Sequence, residues 1–161
     1  MKNFFLFLFL AFLSLIFQFI LTGWMGKWTG DLFFILVLLW SYYRGWKEGA
    51  LVGFSCGIIK DIFFFPLMGV NAFSLCFVGV LTSELKSRIY QENVIFFFFV
   101  VGTLFLINGF LIACFLFIFH HFPFFYTLGG YLYPSFLFNI IAPCCIFLAR
   151  ETLKKKVISQ F

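Results

Sequence analysis

The chain has 161 residues, of which 64% are hydrophobic, 25% aromatic and 11% charged, with 31 phenylalanines and a formal net charge of +5. Soluble domains carry roughly 25% charged residues and bury their apolar side chains in one core, so this composition excludes a water-soluble domain and predicts an all-α membrane protein. With a length near that of one domain and no long polar linker, it also excludes a separate soluble enzyme or nucleic-acid module, and residues 1–161 are expected to form a single membrane domain.

A helix needs about 20 apolar residues to cross the hydrocarbon core. Six runs approach that length, at residues 4–22, 31–43, 49–65, 70–85, 94–119 and 131–149. The first follows Lys2 as a signal-peptide core would, but the bulky Trp24 stands where cleavage needs small residues, so this run is expected to remain as a helix. Gly23, Gly26 and Gly30 make the break after it. The second run is short at its apolar centre, and the interfacial residues Trp28 and Trp46 extend it. Pro66 to Gly69 separates the third run from the fourth, while His120, His121, Pro123 and Gly129-Gly130 give the fifth break its turn composition. Pro134 and Pro143 fall in the last run, where a kink around residues 139–143 is expected.

Lys and Arg are retained on the cytoplasmic side of membranes, so their placement orients the chain. If the N-terminus is cytoplasmic, so are Lys2, Arg44, Lys47, Lys86, Arg88, Arg150 and Lys154 to Lys156, leaving only Lys27 and Lys60 towards the outside. Both termini are therefore expected in the cytoplasm. The same clustering at the ends of apolar runs makes the positive charge a signal of topology and of anionic lipid headgroups, with no nucleic-acid partner implied.

The third run carries the most informative pattern, because Gly49, Gly53, Gly57 and Asp61 recur every four residues and form one inclined stripe along a helix. Three glycines make a groove that a neighbouring backbone can approach closely. The stripe reads either as a packing face within this protein or as a contact for the helix of a partner. Asp61 lies roughly 20 Å along the helix from Glu48, in the outer part of the membrane, where a carboxylate needs a reason to be present. Its candidate partners are Lys60, Lys27, and the backbone or Asn71 donors after the turn. Lys60 projects about 100° away from Asp61 on a regular helix and is expected to snorkel outward.

Lys27, Asp31 and Lys60 thus form an outer-side polar cluster, with Asp31 placed to cap the second helix or to bind. Gln18, Asn108 and Asn139 are expected to hydrogen-bond between helices. The five cysteines, Cys56, Cys76, Cys114, Cys144 and Cys145, show no metal-ligand spacing and read as small buried apolar residues. His120 and His121 have no further ligands beside them, and no nucleophile, base and orienting acid form a recognisable set, so no metal, cofactor or catalytic residue is expected.

The run from Gly30 to Leu81 joins an acid opening one helix to Gly49-x-x-x-Gly53-Phe54-x-x-Gly57-x-x-x-Asp61 and then Pro66-Leu67-Met68-Gly69. In this it resembles the MreD family, the small membrane subunit of the bacterial rod-shape, or elongation, system. The family commonly has Pro before the acid of the second span, where this chain has Gly30. The resemblance implies a non-enzymatic scaffold in the bacterial cytoplasmic (inner) membrane. Such a scaffold binds MreC and, with it, links MreB filaments to the peptidoglycan-synthesising enzymes RodA and its transpeptidase partner. It also implies a fold of about six helices similar to the substrate-binding subunits of energy-coupling-factor transporters.

Three functions follow in order of support. The first is a scaffold whose glycine groove and outer acids receive a partner's helix. The second is a transporter subunit binding a small solute near Lys27, Asp31, Lys60 and Asp61, which requires polar groups converging on a pocket. The third is an intramembrane enzyme, for which the sequence offers only isolated acids.

Overall fold

A computed structural model describes residues 2–25, 30–64, 67–88, 94–121 and 123–158. Its order is α1 (Lys2–Met25), α2 (Leu32–Arg44), α3 (Trp46–Phe64), α4 (Val70–Arg88), α5 (Val94–His120) and α6 (Phe124–Ile158), with no strand among the described residues. An apolar chain away from water satisfies its backbone within helices, and the punctuation between them is short. Asp31 caps α2, accepting a hydrogen bond from Phe34 N at 3.2 Å, and Gly45 at φ 99° closes it in a conformation that suits glycine. Gly69, at φ 100°, makes the turn into α4.

The helix α2 lies at the centre and packs against α1, α3, α4 and α6. Its Phe33, Phe34, Val37 and Leu38 are fully buried and meet Leu75 and Val78 of α4 and Leu104 and Phe105 of α5. Phe34 meets Phe105 edge to face at 5.5 Å. At one end of the core Phe97 stacks on Phe147 at 4.4 Å, with Tyr42 edge-on to both. The outward faces carry exposed Phe12, Leu51, Phe99 and Phe117, side chains that suit a lipid surround.

Phe97–Phe119 within α5, 23 residues of mean hydropathy 2.4, is the one segment among the described residues both long and apolar enough to cross a membrane. The apolar segments Phe9–Trp24, Leu32–Arg44 and Phe138–Ala149 are shorter.

The last helix departs most from expectation. It begins at Phe124 and ends at Ile158, so the predicted break from His120 to Gly130 shrinks to the few residues between His120 and Phe124. Pro123 opens the helix, and Thr127 N donates to its carbonyl at 3.0 Å. Gly129 and Gly130 are helical because an apolar surround leaves their amides no better partner than the helix itself. At the far end, Arg, Glu, Leu and Lys are good helix formers, and the basic ones favour a helix C-terminus. The helix continues through Pro134 and Pro143, although Pro143 offers no N–H to the Asn139 carbonyl. Trp28 and Pro66 lie outside the described residues.

Candidate functional site

The glycine stripe faces α4, the helix with which α3 packs most extensively. A Cβ at Gly53 would overlap the backbone of Leu75 and Cys76, one at Gly57 that of Asn71 and Ala72, and one at Gly49 the side chain of Ser41 and the carbonyl of Gly79. Gly79 in turn meets the backbone of Gly49. The groove is therefore filled along its length by this chain's own α4. It is not open to a partner's helix, and of the two readings the packing face is the one the structure contains. Ser41, fully buried, donates its hydroxyl to Gly79 O and ties α2 to the same seam.

Asp61 completes the stripe as a connector. Its two oxygens accept from Gly69 N at 2.8 Å, Asn71 N at 3.1 Å, Asn71 Nδ2 at 2.8 Å and Ala72 N at 3.1 Å. It thus caps α4 across the hairpin, satisfying amides that the first turn of a helix leaves unpaired and placing negative charge at the positive end of the helix. Among its candidate partners, the donors are the turn and Asn71. This answers why a carboxylate only 2% exposed sits there.

Lys60 does not snorkel outward. Its ammonium pairs with Asp31, and the two side chains are 13% and 7% exposed. The reason lies in the neighbouring helix: Asp31 sits at the entry to α2, close to the outer end of α3, where its carboxylate is within reach of the Lys60 ammonium and the pairing offsets the burial of both charges. Lys27, the remaining member of the outer cluster, lies outside the described residues.

Three further contacts clamp the same entry. Gln18 of α1 donates to Gly30 O at 3.1 Å and accepts from Leu32 N at 3.0 Å, while Asn139 of α6 accepts from Asp31 N at 2.7 Å. Gly30 lies close to α6, since a Cβ there would overlap the edge of the Phe138 ring and that side chain would have to move. A proline at that position would carry such a carbon, which gives a physical reason for glycine before this acid. Residues 30–32 are thus held at once by α1, α3 and α6. Elsewhere Ser74 donates to Asn108 Oδ1, joining α4 to α5.

Ser41 and Gly79 were missed as members of this framework, whereas Asn71 was foreseen as a donor to Asp61. A signal for them existed: Ala72, Cys76, Gly79 and Ser83 put small residues on one face of the fourth run, complementary to the glycines of the third. The cysteines need a correction as well. Cys56 and Cys144 are buried, but Cys76 and Cys114 are partly exposed and Cys145 is exposed, because apolar side chains in this fold also cover its outer faces. Among the described residues no three His, Cys, Asp or Glu side chains converge to hold a metal ion.

No curated protein and no solved structure matches the chain. The family model described as rod shape-determining protein MreD matches residues 1–157, nearly the whole length, and the chain therefore belongs to the MreD family of cell-shape proteins.

Proposed function

We propose that this protein is a multi-pass, non-enzymatic scaffold of the rod-shape and cell-elongation complex in the bacterial cytoplasmic membrane. In this reading it binds MreC and helps couple MreB filaments to peptidoglycan synthesis by RodA and its transpeptidase partner. The family match over residues 1–157 carries the reading. The geometry agrees with it, because the buried acids Asp31 and Asp61 serve the protein's own helix junctions while the outward faces remain apolar.

The six helices act as six spans, in a fold similar to the substrate-binding subunits of energy-coupling-factor transporters, with both termini cytoplasmic. At 35 residues α6 is about 52 Å long, well beyond a hydrocarbon core of about 30 Å, so its basic end projects into the cytoplasm. Since α4 fills the glycine groove, the MreC contact belongs on an outward face. A photo-crosslinking amino acid at Phe12, Leu51, Phe99 or Phe117, one at a time, tests this in cells. Adducts with MreC from one contiguous face support the scaffold, and none from any position would refute it.

One observation favours the solute-binding alternative. The Asn139 Nδ2 group is fully buried and has no hydrogen-bond partner, beside the Asp31 entry. Co-purification of an energising ATPase pair in place of MreC would select that reading.

A further inference from the structure

A groove of about 620 Å³ runs along the junction of α1 and α2, open on its outer side. It exists because α1 leans on α2 at separated points: Phe7 meets Trp40 at 5.8 Å towards one end, and Gln18 holds Gly30 and Leu32 at the other. Between them Leu13 and Phe17 of α1 face Leu36, Leu39 and Trp40 of α2. The walls are apolar apart from Ser14, whose hydroxyl donates to Ala11 O, and at one end Tyr43 and Arg44 line the mouth. The Arg44 guanidinium lies 5.7 Å over the Trp40 ring, and Lys86 brings a second cation to 6.0 Å from the Tyr43 ring. Glu48 and Glu84 are the acids on the neighbouring helix ends, and neither lines the groove.

An apolar channel with cations at one mouth is complementary to an amphiphile with an anionic head. From this geometry we propose that the groove binds an anionic glycerophospholipid, one acyl chain lying between α1 and α2 and the phosphate at Arg44 and Lys86. Leu32 to Arg44 rises about 18 Å, close to the roughly 15 Å hydrocarbon depth of one leaflet, so one acyl chain matches the groove in length while its charged head meets the cations at the mouth. The assignment of the lipid to the cytoplasmic leaflet rests on the orientation proposed above; the groove and its chemistry do not.

The test uses the full chain in phosphatidylcholine vesicles, with Trp24, Trp28 and Trp46 changed to Phe so that Trp40 alone fluoresces. Brominated phosphatidylglycerol should half-quench Trp40 at a mole fraction at least about fivefold lower than brominated phosphatidylcholine, the preference one surface cation confers. Arg44→Gln should bring the two lipids towards equality, and Leu13→Phe with Leu36→Phe should weaken quenching by both. Both leaflets carry the same lipid, so a failed orientation leaves this readout unchanged and shows instead in the sidedness of a C-terminal reporter. Equal quenching by the two lipids, or a preference that survives Arg44→Gln, would overturn the proposal. Trp40 unquenched by either lipid would overturn it too, marking a groove covered by protein. If the triple Phe chain fails to fold, native mass spectrometry of the unaltered chain and Arg44→Gln decides by the same ratio of retained lipids.

Discussion

Replacing Gly53 with alanine adds one methyl group, at a place where the structure has no room for it. The new Cβ would sit 2.7 Å from the Leu75 carbonyl carbon and 2.9 Å from Cys76 Cα, where carbon atoms rest at about 3.5–4.0 Å. The obstacle is backbone, so no side chain can rotate away, and α4 must move back by about 1 Å. Overpacking of this kind costs about 1–3 kcal/mol. The same displacement stretches the Asp61 bonds to Gly69, Asn71 and Ala72, now 2.8–3.1 Å, past the useful limit of about 3.2 Å. Weakening those bonds costs about 1 kcal/mol more, which alanine's gain of up to about 1 kcal/mol in helix propensity offsets, leaving a net loss of about 1–3 kcal/mol. Gly129 supplies the opposite case: it is helical with nothing within 4 Å of its Cβ position, so Gly129→Ala should gain up to about 1 kcal/mol. Thermal unfolding in detergent followed by circular dichroism compares them, at about 2–4 °C per kcal/mol for a chain of this size. Gly53→Ala should lower Tm by about 2–12 °C while Gly129→Ala leaves it equal or higher. An unchanged or raised Tm for Gly53→Ala would refute the filled groove.

Substitutions at three other contacts probe the remaining junctions in the same assay. Asp61→Ala strands three buried donors and the part-buried Gly69 N–H and should cost about 3–5 kcal/mol, with Asp61→Asn losing less; a change under about 1 kcal/mol would mean the carboxylate does not hold α4. Ser41→Ala removes the hydroxyl bond to Gly79 O and should cost about 1 kcal/mol, whereas a stabilised variant would show the hydroxyl was merely crowded. For the Asp31 and Lys60 pair, Lys60→Met should destabilise the wild type by about 3 kcal/mol and an Asp31→Asn background by much less; additive losses would show that the two charges are not coupled.

Helix number and the α3 pattern were legible in the sequence because both rest on local regularities, the length of apolar runs and a four-residue spacing. Which surface Gly49, Gly53 and Gly57 face was not, since a stripe records only that something comes close. The answer lay in a second stripe, Ala72 to Ser83, whose small residues are less conspicuous than glycines. Lys60 was misjudged because adjacency on a helix was weighed and the approach of α2 was not. Gly129 and Gly130 misled for a different reason: turn propensities are calibrated in water, where an amide leaving a helix finds a new partner, and an apolar surround removes that option.

The polar cluster at residues 30–32 follows from the shortness of α2. Thirteen residues rise only about 20 Å, some 10 Å less than the hydrocarbon core, so in the six-span orientation proposed above a helix that reaches the cytoplasmic side at Arg44 starts below the outer surface. Its unpaired first-turn amides and the chain entering them then lie where water cannot serve them. Asp31 caps Phe34 N, Gln18 serves Gly30 O and Leu32 N, and Asn139 takes Asp31 N. The carboxylate that makes this cap is itself a charge in a poor solvent, and Lys60 is the counter-ion that makes it tolerable. The same logic operates at α4, where Asp61 serves a buried helix start through donors alone. Both acids are thus explained by helix starts that need capping away from water, and neither has to be reserved for a ligand or a reaction. In the scaffold reading proposed above, a surface that recognises other membrane proteins is then built from what remains outward, which is mostly apolar side chains.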